Sequence, residues 1–555
     1  MNSTKKIPGL GGFPFHTILL SVYPILFVYS QNIASVTFID TIRFMVFSVG
    51  FFTFLLLCFQ IVLKDWGKAG GLSSLLACLF FSFGHIANAL EQLLYQRGFD
   101  LNLLVLAWIW LIIFLLLSFY IVRFSLPDKT TRSINLISGI LIILSLAVII
   151  SVGDITSDLG QNDYEKLKQL RGQEQAEELL NSIPPSELPD IYYIIFDGYL
   201  RADILQKLFD YDSSSFTADL EQRGFYLVSS SHSNYLNTNY SLNTSLNLLY
   251  FHDFPKRIFN KTKYNLYTNY VNDFLKDQGY QTVVFDSGTG DTNDQDYDYF
   301  IASETVKSQE KGPINPFEQF FLRTTLGLLF FNSPDHDPSP AQTDDLIQST
   351  VNQELSLRRE RINYALDHIP DYAPEDGHYF LFSHIYLPHI PFLYGPEGEE
   401  LKYHKNINLY WYEVEQDNYI KYYNYQIDYL NKKILDTIDT ILANSKKPVV
   451  IVLQADHGDE KYLDRDAPTS QGINVRSAIF NAIYFSDQSY DELYPTMTPV
   501  NTFRVILNHW FGTQYPLLND KVFFHEHPTS TGVKEKPEFT DTCPEFELCL
   551  PPPPY

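Results

Sequence analysis

Five apolar stretches crowd the first 152 residues of this 555-residue chain, at about 15–32, 41–63, 70–92, 101–124 and 134–152. Each approaches the roughly 20 residues a helix needs to cross ~30 Å of hydrocarbon. The segment 1–152 therefore reads as a transmembrane domain of five helices, and no small-residue cleavage site follows the first stretch to mark it as a removable leader. Lys5, Lys6, Lys64, Lys68, Arg123, Lys129 and Arg132 fall in alternate connections, against Arg43 and Arg97 in the others. Connections rich in Lys and Arg stay inside. With a cytoplasmic amino terminus, an odd number of crossings delivers everything after residue 152 to the outer side. The expectation is an integral protein of the plasma (inner) membrane with a large periplasmic or extracellular domain.

The net charge is −25, and the basic residues form no dense cluster beyond the membrane loops, which speaks against a nucleic-acid partner. Cys58 and Cys78 lie inside apolar spans, whereas Cys543 and Cys549 sit close together in a tail where oxidation is permitted, so a small tail disulfide is open. Residues 153–186 carry a helix-compatible stretch, DYEKLKQLRGQEQAEELL, that mixes both charge signs and ends before Pro184 and Pro185. It reads as a juxtamembrane linker helix, a solvated spacer rather than an interfacial one. A catalytic domain is expected over 187–527 and a Pro-rich tail over 528–555.

Within 187–527, short apolar runs recur: IYYIIF at 191–196, TVVF at 282–285, YFLF at 379–382, VVIVLQ at 449–454 and AIFNAIYF at 478–485. Continuous rather than alternating runs mark strands buried on both faces. Helical patterns lie between them, at 271–280 and 425–445, so the spacing predicts an α/β domain with a mostly parallel sheet covered on both sides. The Pro-, Asp- and Ser-rich stretch 333–345 reads as a surface loop.

Two of these strands end in chemistry-bearing turns. VVIVLQ runs into Asp456, His457 and Gly458, and IYYIIF runs into Asp197, Gly198 and Tyr199. Ligands at the carboxyl ends of parallel strands point into the crevice where α/β folds bind substrates, and two carboxylates with one imidazole suit a divalent metal, Zn²⁺ or Mn²⁺. Between them lies SNYLNTNYSLNTSLN, in which Thr238 leads a helical pattern. A hydroxyl at a helix amino terminus sits in a field that favours anions and can serve as a nucleophile; the plainer reading is a capping residue. Ser241 is the alternative nucleophile.

This arrangement resembles the alkaline phosphatase and sulfatase superfamily, in particular its membrane-anchored phosphotransferase branch, which includes lipid A phosphoethanolamine transferases and lipoteichoic acid synthases. The resemblance covers the whole exported domain and implies an alkaline-phosphatase-like α/β/α sandwich. It implies Asp197, Thr238, Asp456 and His457 as metal ligands, with Thr238 also the nucleophile. The sequence departs from the branch at the first ligand, where phosphotransferases tend to carry Glu. HYFLFSHIYLPHIPF resembles the branch's His-rich loop, which implies a substrate-binding His384 and a catalytic His389 that contacts the transferred phosphoryl group or its leaving oxygen. True sulfatases carry a Cys/Ser-x-Pro-x-Arg motif. Here the stretch is Thr238-Asn239-Tyr240-Ser241-Leu242, with neither Pro nor Arg in place, which favours direct attack of Thr on phosphorus.

The resulting expectation is a phosphothreonine intermediate formed from a membrane phospholipid donor, phosphoethanolamine or phosphoglycerol, and resolved by an envelope glycan or lipid acceptor. Water in place of the acceptor would make the protein a phosphodiesterase, phosphatase or other sulfatase-like hydrolase, and a catalytically silent relative is a third reading. Arg201 and Arg476 are candidates for phosphate oxygens, although surface ion pairs are the commoner use of Arg. Asp286 and His232 are possible second-metal ligands by composition alone.

Overall fold

The computed structural model describes residues 12–31, 38–95, 101–124, 128–156, 161–176, 187–255, 269–289, 297–310, 316–331, 340–372, 377–401, 416–464, 469–525 and 539–541. The chain divides into two compact units, Met1–Ser157 with Ser308–Gln342, and Asp158–Lys307 with Thr343–Tyr555. Cys543 and Cys549 lie outside the described residues, as does most of the tail.

Among the described residues, the first stretch of the first unit holds five helices, α1 (His16–Gln31), α2 (Phe38–Leu63), α3 (Trp66–Tyr95), α4 (Leu103–Arg123) and α5 (Asp128–Thr156). Among the described residues, four of them are long and apolar enough to cross a membrane, not the five expected. The exception is α1. At 16 residues with Pro24 inside it, it rises only ~24 Å at 1.5 Å per residue, short of the hydrocarbon thickness. The second stretch of this unit, far along the sequence, brings the helix Pro316–Arg323 onto α2 and α3. Phe321 packs against Phe44 and Phe81 with ring centroids at 5.1 and 5.8 Å. Arg43 grips Glu318 with both arms of its guanidinium, Nε donating at 2.7 Å. The Leu326 amide donates to the Phe80 carbonyl, and Leu328 joins Phe83 and Leu106.

The second unit is built on a seven-stranded sheet. Its strands are β1 (Asp190–Asp197), β2 (Tyr226–Leu227), β3 (Tyr280–Phe285), β4 (Tyr299–Ile301), β5 (His378–Pro388), β6 (Val449–Ala455) and β7 (Asn481–Phe485), in the order β2-β7-β6-β1-β5-β3-β4. Strands β6, β1, β5, β3 and β4 run parallel, and β7 and β2 close one edge antiparallel. The period of two along β1 explains why its run is apolar throughout. Tyr192, Ile194 and Phe196 enter a core under the helix Gln416–Asn444, while Ile191, Tyr193 and Ile195 enter a core under the helices Thr238–Asn247 and Pro499–Phe511. Each fully buried side chain of that size contributes on the order of 1.5–3 kcal/mol, so the central strand anchors both layers of an α/β/α sandwich.

The linker is less solvated than its composition suggests. Helices Gln161–Arg171 and Gln173–Ala176 bury Leu167 and Ala176 in cores of the second unit, and the Arg171 guanidinium donates to the Asn247 carbonyl at 2.9 Å over the ring of Tyr270. Mixed charges concealed an anchoring face. The stretch read as a loop at 333–345 is helical from Pro340 onward, within Pro340–His368, and 332–339 lie outside the described residues.

Candidate active site

Neighbouring strands set the site. Phe196 of β1 pairs with Ala455 of β6, so Asp197 and Asp456 leave adjacent carboxyl ends side by side. Between β1 and β5 the register slips after Phe196, bringing Asp197 opposite Pro388. The His389 amide then donates to the Asp197 carbonyl at 3.0 Å, which fixes the His-bearing loop beside the first carboxylate. At Gly458 a Cβ would lie 2.2 Å from the Val475 carbonyl oxygen, so the turn after His457 admits no side chain.

Asp197, Asp456 and His457 are buried, and one ligand atom from each lies within 4.8 Å of the others. The Asp456 Oδ1 accepts from the amides of Gly198 (3.1 Å) and His457 (2.8 Å), which turns Oδ2 toward His457 Nε2 at 3.2 Å. His457 Nδ1 donates to the Gly458 carbonyl at 3.0 Å. That bond fixes the tautomer and leaves the lone pair on Nε2 facing inward. Asp197 Oδ1 stands 3.8 Å from the same nitrogen and Thr238 Oγ1 3.1 Å. Three oxygens and an imidazole lone pair converging in a buried space call for a cation among them. Burial raises the Asp456 carboxyl above the ordinary carboxylate range, against the lowering effect of its hydrogen bonds and of Arg476. The donor set fits a divalent metal.

Thr238 opens the helix Thr238–Asn247 as its first residue, with Asn237 in the capping position. Its hydroxyl is thus turned to His457, not spent on a cap. Ser241 lies one turn further in and is buried.

His384, on β5, is fully buried with Nε2 3.6 Å from Asp197 Oδ2, and burial pushes its pKa down to about 3. His389 stands with its ring centroid 6.4 Å from that of His457, and Nδ1 donates to the Ile390 carbonyl at 2.6 Å. Burial lowers its pKa, partly opposed by Glu460. Arg476 is buried, unlike a surface ion-pair Arg. Nη2 meets His457 Nε2 at 3.0 Å, Nη1 donates to the Gly458 carbonyl at 2.9 Å and Nε to the Leu236 carbonyl at 3.1 Å.

Three sequence candidates are placed elsewhere. Arg201 donates to Asp203 at 2.6 Å and meets His232 Nδ1 at 3.2 Å. Asp286 is gripped by Arg361 at 2.8 Å. Neither Asp286 nor His232 joins the cluster of potential metal ligands among the described residues. Sequence reading missed Asp459, two residues beyond His457, which is buried, accepts from Tyr419 Oη at 2.6 Å and is raised to about 6 by desolvation. The signal was in the same DHGDE run.

His232 supplies a pH-dependent element of stability. Burial, reinforced by Arg201, pushes its pKa from 6.5 to about 3. Between those values the unfolded chain binds a proton that the folded one refuses, so stability is intact above pH 6.5 and declines as pH falls. At pH 5 the loss is on the order of 2 kcal/mol. Thermal unfolding at pH 7.5 and pH 5 is expected to show a smaller acid shift for His232→Gln than for wild type. Equal shifts would assign the acid sensitivity elsewhere.

The Sulfatase family model matches residues 193–505, more than half of the 555-residue chain, from within β1 to within the last long helix. No curated protein matches the sequence. Among solved structures, the chain is similar to the zinc complex of the C-terminal periplasmic domain of EcEptC from Escherichia coli, with 11% identity over 65% of this chain and 96% of that one and a TM-score of 0.38. It is similar to the integral membrane lipooligosaccharide phosphoethanolamine transferase A from Neisseria meningitidis, with 11% identity over 90% of this chain and 96% of that one and a TM-score of 0.36. A 2-O GAG sulfatase, BT1596, matches at 10% identity over 61% and 78% of the two chains, with a TM-score of 0.33. The assignment rests on the family match, whose span contains both strand-end carboxylates, Thr238 and His457: the chain belongs to the sulfatase family.

Proposed function

We propose that this protein is a metal-dependent phosphotransferase that moves a phospholipid head group, phosphoethanolamine or phosphoglycerol, onto an envelope glycan or lipid. The observation that carries the reading is the Thr238 hydroxyl at the start of its helix, 3.1 Å from His457 Nε2 and hydrogen-bonded to the buried Asp456. Asp197, Asp456, His457 and Thr238 would hold one divalent ion, Zn²⁺ or Mn²⁺. When bound, that ion supplies charge neutralisation and a lowered proton affinity at the Thr238 oxygen.

Thr238 Oγ1 gives up its proton and attacks phosphorus, the bond from phosphorus to the lipid glycerol oxygen breaks, and the phosphoryl head group passes to Thr238. The leaving oxygen takes a proton. An acceptor hydroxyl then gives up its proton and attacks phosphorus, the bond from phosphorus to Thr238 Oγ1 breaks, and the Thr238 oxygen takes a proton back. His389 suits these proton movements. With Nδ1–H committed to the Ile390 carbonyl, Nε2 is the nitrogen that gains and loses a proton, and its lowered proton affinity favours the base role near neutrality. His384, beside Asp197, and Arg476, beside His457, are assigned to the substrate oxyanion.

Placement of the active domain on the outer, periplasmic side follows from charge and survives the loss of one span. The α2–α3 connection carries Lys64, and Lys68 stands just inside α3; Arg123 and Lys129 flank the α4–α5 connection. If these connections are inside, the chain leaves α5 on the opposite face whether or not α1 crosses.

The decisive experiment is peptide mapping of the purified protein after incubation with mixed phospholipids and Zn²⁺ or Mn²⁺. A head-group phosphate on Thr238, absent with chelator, is expected. Its absence both in wild type and in His389→Ala, where turnover is slowed, would refute the lipid-donor reading. The family match also favours a hydrolase. Release of free head-group phosphate at the same rate with and without acceptor would establish that alternative.

A further inference from the structure

A cavity of about 80 Å³ opens beside the metal-ligand cluster, bounded by the carboxyl end of β3, the exit of β5 and the helix Pro340–His368. His384 and Tyr386 form its β5 wall. His384 is the side chain that stands 3.6 Å from Asp197. Tyr386 lies between the two histidines, with ring centroids 5.6 Å from His384 and 5.3 Å from His389. The cavity is therefore separated from the candidate reaction centre by a single layer of side chains, and it occupies the crevice at the carboxyl ends of parallel strands.

Its opposite wall carries two guanidinium groups in different states. Arg361 is locked. Its Nε donates to Asp286 Oδ2 at 2.8 Å, and Asp286 Oδ1 in turn accepts from the Gly288 amide at 2.8 Å. Gly288 adopts φ +77°, and a Cβ there would fall 2.9 Å from Arg361 Nε, so the turn is shaped around this guanidinium. Arg358, one turn away, is held loosely. It lies 5.4 Å from the centroid of Tyr386, and its Nη2 reaches Glu354 at 3.4 Å, with side chains 28% and 40% exposed. An exposed pair of this kind within one helix is given up at little cost. Glu354 lines the same cavity but is 40% exposed, so solvent can take over from Arg358 as its partner, and the Arg358 guanidinium lies over the Tyr386 ring.

We propose that this cavity is a binding subsite for a second oxyanion, a phosphate borne by the substrate or free phosphate, with Arg358 as its main contact. A planar guanidinium pre-oriented on an aromatic ring suits bidentate recognition of phosphate, and the locked Arg361–Asp286 pair keeps the wall rigid. The link of this subsite to the reaction rests on the transferase reading above. The existence of the subsite does not.

Equilibrium binding to the full chain in detergent tests it with two probes, inorganic phosphate and dihexanoyl phosphatidic acid, in the Asp456→Asn background with chelator present. That background removes metal-dependent binding at the reaction centre, and the Arg358 variants distinguish the subsite from any anion still held by Arg476. Binding of at least one probe is expected, weakened about tenfold or more by adding Arg358→Gln and partly restored by Arg358→Lys, since charge-assisted hydrogen bonds are worth such factors. An Arg358-dependent response to the lipid probe alone would identify a lipid-borne phosphate, and one to inorganic phosphate a soluble source. Binding unaffected by Arg358→Gln, or no binding of either probe, would overturn the subsite. Failure to find a Thr238 adduct alongside Arg358-dependent binding would remove the transfer reading and leave the subsite standing.

Discussion

Thr238→Ala is expected to lower head-group transfer by on the order of 10³-fold or more and to abolish the covalent adduct, because removal of an attacking group leaves only binding and electrostatic catalysis. The fold should not suffer. Thr238 is the first residue of its helix, after the capping position held by Asn237, and its hydroxyl contacts His457 and Asp456 of the site. Thr238→Ser, which keeps the hydroxyl and drops a methyl group, should retain measurable transfer. Rates measured with a fluorescent phospholipid donor, beside thermal unfolding of each variant, separate loss of nucleophile from loss of structure. Transfer by the Ala variant within tenfold of wild type would remove Thr238 from the reaction and bring Ser241 forward.

Asp456→Asn should have effects of opposite sign with and without metal. Asn retains an oxygen that can accept from the Gly198 and His457 amides, so the turn is preserved. It removes a buried charge whose burial raises its pKa, and an uncompensated buried carboxylate is costly. In chelator the variant is therefore expected to unfold at a higher temperature than wild type. With Zn²⁺ or Mn²⁺ the order reverses. Wild type gains roughly 2.7 kcal/mol at a metal concentration a hundred times its Kd, while the variant, lacking one of three charged or imidazole ligands, gains little and loses transfer by a comparable order of 10³-fold. Identical metal-induced shifts in the two proteins would place the metal elsewhere.

The central strands were legible because a parallel sheet covered on both faces demands continuous apolar runs. IYYIIF and VVIVLQ had nowhere else to go, and the residues that follow them fell at strand ends by necessity. Edge strands carried no such signal. Tyr226–Leu227 and Tyr299–Ile301 are two and three residues long, and half-exposed residues on a short edge leave no pattern to read. The first apolar stretch matched a span in composition, but hydropathy does not register that its helix is 16 residues long with a proline inside. Asp197, Asp456 and His457 were placed at strand ends and Thr238 at a helix start by the sequence, and the fold brings the four together. The rejection of Asp286 and His232 was not legible there. It depends on Arg361 and Arg201, partners 75 and 31 residues away in sequence, whose approach only the folded chain decides.

The helix Pro316–Arg323 packs with α2 and α3, yet the ribosome reaches it only after residues 158–307, which include β1 to β4, have been made. The membrane half is thus assembled in two instalments around the synthesis of part of the other half. Closing so long a detour costs little more than closing a short one, about 0.6 kcal/mol for each doubling of length, so the burden falls on timing rather than on final stability. Until the second instalment arrives, Phe44, Phe81 and Arg43 wait without the residues they hold in the finished protein. The first 157 residues are consequently no interchangeable anchor: grafted onto another outer domain, they would lack the helix that completes them.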